Sequence, residues 1–197
     1  MNRLNAVRLN DKGFTLVELL MTVLILGIII SAVGTALFVG LRTTNLTTRR
    51  LAEAHDAQLI TSYFVTDVES SDSVTATALD ARCTAGVTGA PVVSLGWIEA
   101  GVLKVASYAT QTSSGGECPA GFSCNLMTRY FCINGVNTPN IVAHLLSRTS
   151  AVSIACTTAG AASGCTTTPD TVVISVTPVD ATLYSAYTVA GVRKVTR

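Results

Sequence analysis

From Gly13 to Leu41 the sequence holds one charged residue, Glu18, in a run otherwise built from aliphatic, small and hydroxyl side chains with Phe14 and Phe38. Such a run leaves few options. Phe14–Leu41 is 28 residues, about 42 Å as an α-helix at ~1.5 Å per residue, whereas the hydrocarbon core of a bilayer needs only ~30 Å. Backbone in lipid must satisfy its own hydrogen bonds, so a helix is predicted over the whole run. Glu18 follows Phe14 by four residues. A carboxylate in a membrane helix costs roughly 2.5–3.5 kcal/mol on insertion scales, so it points to a function that offsets the cost.

The flanks alone do not set the orientation. Residues 1–13 carry Arg3, Arg8 and Lys12 against Asp11, and Arg42, Arg49 and Arg50 follow the run. Counted as basic residues on each side, the two flanks tie. The cysteines break the tie: Cys83, Cys118, Cys124, Cys132, Cys156 and Cys165 all lie beyond the apolar run. An even count outside a membrane span predicts disulfides in an oxidising compartment, which puts the C-terminal part outside and the basic leader inside. No CxxC pair occurs, and neither His55 nor His144 sits at ligand spacing from a cysteine, so no metal is expected. Six cysteines allow 15 connectivities; among them, Cys156 with Cys165 and Cys118 with Cys124 would close short loops, leaving Cys83 with Cys132. The net charge is +1, from 13 basic and 12 acidic residues, with no basic stripe, and this argues against direct nucleic-acid binding.

Gly13-Phe14-Thr15-Leu16-Val17-Glu18-Leu19-Leu20, after a short basic leader and before a long apolar helix, resembles the class III signal of type IV prepilins and type II secretion pseudopilins. The resemblance implies that prepilin peptidase cuts after Gly13 and methylates the new amine at Phe14. It also implies that Glu18 pairs with the terminal amine of a neighbouring subunit during assembly. A carboxylate buried in a low dielectric becomes tolerable when a cation meets it, and a methylated amine keeps its charge. An ordinary secretory signal peptide fits less well, because its apolar region runs ~7–15 residues and lacks a carboxylate. Many major pilins carry a proline in the apolar run; here no proline precedes Pro91, so a straighter helix is expected.

Helical pattern continues past the membrane run, with no proline or glycine between Leu41 and Gly86. At 100° steps Leu46, Ala57, Ile60, Phe64 and Val68 share one face, opposite His55, Gln58, Ser62, Thr66 and Glu69. The apolar stripe is clean from Ala54, so residues 42–53 read as an exposed neck. Phe14 to Asp72 is 59 residues, a rod on the order of 90 Å. Arg49–Ser73 further resembles the helix of J-type minor pseudopilins. Four segments are therefore expected: a cleaved leader (1–13), a transmembrane and filament-core helix (14–41), its amphipathic continuation (42–72) and a β-rich head (73–197).

In the head, strands are predicted at Val92–Ile98, Val102–Tyr108, Leu126–Ile133, Ile141–Leu146, Ala151–Cys156, Val172–Thr177 and Tyr184–Ala190, with Glu99-Ala100-Gly101 as a hairpin turn. Thr112–Gly121 and Thr157–Pro169 read as loops. The fold class is α+β, a long N-terminal helix packed on an antiparallel β-sheet. There is no GxSxG, HExxH or phosphate-cradling glycine loop, and no cofactor is expected. Asp170 and Asp180 read as solvated carboxylates, His55 as a solvated helix residue, and Trp97 and Tyr108 as core or sheet residues. Together these features describe a non-enzymatic filament subunit in the inner membrane, head outward, that passes into an extracellular filament. Its expected partners are prepilin peptidase and other pilin subunits. A single-pass adhesin that does not polymerise is the alternative, and an extracellular enzyme a more distant one.

Overall fold

Leu16 opens a helix, α1, that runs to Ser70 in the computed structural model. The structure describes residues 13, 15–113, 124–147, 151–165, 168–179 and 185–194, except the side chains of Asn45, Leu46, Arg49 and Leu145. Over residues 15–44 every side chain is exposed. Leu16–Thr44 is long and apolar enough to cross a membrane. Its hydroxyls are satisfied inside the helix: Thr22, Ser31 and Thr35 each donate to a backbone carbonyl of the preceding turn at 2.8 Å.

Residues 50–197 form their own compact unit. Among the described residues nine strands follow α1: β1 (Ser73–Ala76), β2 (Ala90–Glu99), β3 (Val102–Thr112), β4 (Asn125–Ile133), β5 (Val136–Leu146), β6 (Val152–Thr158), β7 (Ala161–Ser163), β8 (Thr171–Val176) and β9 (Tyr187–Val192). As expected of an α+β chain with an antiparallel head, they pair antiparallel, in two sheets: a first in the order β1-β2-β3-β4-β5 and a second in the order β7-β6-β8-β9. An antiparallel bridge between Leu146 and Pro178 joins the last strand of the first sheet to the segment after β8.

Three hairpins share one turn chemistry. Ala100-Gly101, Asn134-Gly135 and Ala159-Gly160 all have positive φ at both residues, the backbone that matches the right-handed twist of paired strands. Only the first was expected. Asn134-Gly135 starts β5 at Val136, five residues earlier than predicted, and carries Pro139 inside it. The proline is tolerated because β5 is an edge strand and needs no donor on its outer side. Ala159-Gly160 folds part of the expected Thr157–Pro169 loop into the β6–β7 hairpin. β3 likewise runs on to Thr112, and β1 follows the helix directly, in a polar stretch that shows little strand character. Tyr184 and residues 114–121 of the other expected loop lie outside the described residues.

The core forms where the apolar stripe of α1 meets both sheets. Ile60, Phe64 and Val68, one turn apart, are each 0% exposed, and each contributes about 1.5–3 kcal/mol by burial. They share one cluster with Leu95 and Tyr108 of the first sheet and Ile174 of the second. Phe64 meets Tyr108 edge to face at 5.7 Å. On β8, Val172, Ile174 and Val176 alternate inward as the sequence pattern predicts. Beside α1, β9 carries Gly191, where a Cβ would come 2.6 Å from the Cβ of Val68. Only glycine permits that approach.

Two disulfides join described cysteines, Cys83–Cys132 and Cys156–Cys165, the same pairs named from spacing. Cys124 is also disulfide-bonded; the expectation that it pairs with Cys118 falls on a residue outside those described. Cys83–Cys132 ties the connection between β1 and β2 to β4. Asn137 holds the same connection by donating to Ala85 O at 2.6 Å, and Tyr130 does so through its hydroxyl, 2.8 Å from that of Thr88.

Candidate functional site

The first turn of α1 is built by local chemistry. Thr15 stands just before the helix, and its carbonyl accepts the first intrahelical bond, from Leu19 N–H at 3.1 Å. Its hydroxyl accepts from Glu18 N–H at 3.3 Å and donates to Glu18 Oε2 at 3.5 Å. The Thr15 hydroxyl is thus the N-cap, which satisfies a helix N–H that would otherwise lack a partner. A carboxylate in the first turn also faces the positive end of the helix dipole. Thr15 was not singled out from the sequence, although Thr-Leu-Val-Glu ahead of an apolar run is the signal that would have found it.

Glu18 and Gly13 are both exposed in the single chain. Phe14 lies outside the described residues, as do residues 1–12 of the leader. Around Glu18 every described side chain to Thr44 is also exposed, so this carboxylate stands at one end of an uncovered apolar helix. Lipid or other helices must cover such a surface.

In the head, the polar groups with the most specific geometry serve packing. Asp67 of α1 is 3% exposed; it accepts from Tyr108 Oη at 2.7 Å and from Arg129 Nε and Nη2 at 2.7 and 2.6 Å. The Arg129 guanidinium lies over the rings of Tyr63 and Phe131, 4.9 and 4.5 Å from their centroids. Burial pushes the Tyr108 phenol well above its usual range, and the neighbouring Asp67 adds to it. Burial opposes the Arg129 charge, but the bonds from Asp67 outweigh it and hold the guanidinium more firmly protonated.

Arg193, just past β9, donates to Ser71 O and Asp72 O at 2.9 Å and to Pro169 O at 3.1 Å. The last turn of α1 carries no basic residue of its own, so a cation from the far end of the chain serves its carbonyl end.

The remaining sequence candidates fall apart in space. His55 is exposed. His144 binds Asp56, through its N–H at 2.7 Å and its ring Nδ1 at 3.0 Å. Asp170 accepts from Ala159 N–H at 2.7 Å and so closes the β6–β7 turn; Asp180 lies outside the described residues. Trp97 is half-buried against Phe131, with ring centroids 5.9 Å apart. Among the described residues, no group of three or more His, Cys, Asp or Glu is placed to hold a metal ion.

Residues 8–34 match the family model of the prokaryotic N-terminal methylation motif. No curated protein and no solved structure matches the chain. The match covers the leader from Arg8, Gly13 to Glu18 and the exposed apolar helix as far as Gly34, so it and the capped turn describe one site.

Proposed function

We propose that this type IV pilin-like prepilin is a minor subunit of a type IV pilus or of a type II secretion-like filament. The match of residues 8–34 to the methylation motif carries the proposal. Prepilin peptidase cuts after Gly13 and methylates the amine of Phe14. The mature chain waits in the inner membrane through its N-terminal helix with the head outside. Entry into the filament moves that helix from lipid to the company of other pilin helices, and Glu18 then takes the terminal amine of a neighbouring subunit as its counter-ion. Burying both charges together offsets much of the cost that each has alone.

A minor, tip-forming or initiating role is supported by the resemblance of Arg49–Ser73 to J-type pseudopilins. A disulfide-bridged head with two separate sheets also suits a specialised position more than a repeating one. Quantitative mass spectrometry of sheared filaments tests the role. The chain is expected at a small fraction of the most abundant pilin, and its deletion is expected to reduce filament number more than filament composition. Finding it as the most abundant subunit would overturn the minor role and leave the prepilin assignment standing.

A further inference from the structure

The place where α1 enters the head is held by a cluster of ionisable groups. Glu53 and Asp56, one turn apart on α1, line a partly open cavity of about 20 Å³ with His144 of β5 and Tyr187 of β9, and Leu146, Val176 and Pro178 complete its lining. That volume holds one water molecule. Each carboxylate grips a backbone N–H on a different side. Asp56 Oδ2 accepts from His144 N–H at 2.7 Å, in the first sheet. Glu53 Oε1 accepts from Ser185 N–H at 3.0 Å, on the chain entering β9 of the second.

The charges around the cavity are unbalanced. Two carboxylates and a phenol face a single imidazole, whose Nδ1 is 3.0 Å from Asp56 Oδ1. Arg50, exposed on the preceding turn of α1, adds a weaker attraction to Glu53. His55, the other ionisable group on this part of α1, is exposed on the opposite face.

We propose that this junction is an acid-tightened clasp: it takes up one proton from solvent as the pH falls, and α1 is then held more firmly between the two sheets. Protonated Glu53 keeps a carbonyl oxygen for Ser185 N–H, gains an O–H that donates into the cavity, and no longer repels Asp56. The backbone N–H of His144 stays on Asp56 Oδ2 throughout. Burial and both carboxylates hold the Tyr187 phenol protonated. Burial first, then the charge of Asp56, raise the Glu53 carboxyl above its ordinary value of 4.5, against the opposing pull of Ser185 and Arg50. A carboxyl raised in the folded state binds its proton more tightly there than in the unfolded chain. The stabilisation is therefore present at low pH and is lost as pH rises through the raised value.

Hydrogen exchange of the full chain in detergent micelles tests the clasp, with protection at residues 53–58 and 143–147 read at pH 4.5 and pH 7 and corrected for intrinsic exchange. Protection is expected to rise about threefold or more on acidification. Glu53→Gln, neutral and of the same shape, is expected to keep the acid level of protection at both pH values. Glu69→Gln, which removes an α1 carboxylate paired with Lys194 at 2.9 Å, is expected to behave as wild type. Unchanged or reduced protection of the wild type in acid overturns the proposal even if Glu53→Gln fails to fold. So does a Glu53→Gln chain that keeps the full pH dependence, or a Glu69→Gln chain that loses it.

Discussion

An Asp67→Ala chain is expected to lose about 3–5 kcal/mol of head stability. The substitution deletes the acceptor of three hydrogen bonds at once. It leaves the Arg129 guanidinium, 11% exposed, without a counter-charge between two aromatic rings. It also strands the hydroxyl of Tyr108, which is 0% exposed. Unpaired buried groups of this kind carry most of the cost, because neither can recover its hydration. Replacing both partners, as in Asp67→Leu with Arg129→Met, should recover much of the loss, since an apolar pair leaves no charge stranded. The sequence has one tryptophan, Trp97, which packs on the ring that Arg129 covers, so its fluorescence reports unfolding in urea. A loss below ~1 kcal/mol for Asp67→Ala would mean that the ion pair does not hold α1 to the first sheet.

Glu18→Ala should act on assembly and leave the head alone. In the single chain Glu18 is exposed and, among the described residues, its side chain hydrogen-bonds only with Thr15, so its removal is expected to leave the packing of the head unchanged. In the proposed filament it is the counter-ion of a neighbour's amine, and leaving that amine buried and unpaired costs about 3–5 kcal/mol. Incorporation into sheared filaments is therefore expected to fall on the order of a hundredfold or more, with the membrane fraction unchanged. Glu18→Gln should fall nearly as far, because it keeps the shape and loses the charge. Wild-type incorporation of either variant would remove Glu18 from the assembly step and favour a membrane-anchored chain that does not polymerise.

What could be read from the sequence was local. Gly13 to Glu18 is contiguous, and Ile60, Phe64 and Val68 recur at one helical spacing, so motif and stripe were both visible. The contacts that hold the head were not, because they join distant residues: Asp67 is 41 residues from Tyr108 and 62 from Arg129, and Asp56 is 88 from His144. One clue was available. At 100° steps Asp67 falls on the same face as Ile60, where a carboxylate must either find a partner or destabilise the core. The division of the strands between two sheets depends on long-range pairing that composition does not encode. β5 starts at Val136, before Pro139, because Asn134-Gly135 makes a tight hairpin turn there, a local signal present in the sequence.

The proposed prepilin processing leaves its mark on the mature N-terminal peptide, and the mass of that peptide reads it out. Protein recovered from membranes of the native host is predicted to begin at Phe14 with a methylated amine and to lack residues 1–13. A chain that begins at Met1, or one cut near Leu37 as a conventional signal peptide would be, would contradict it.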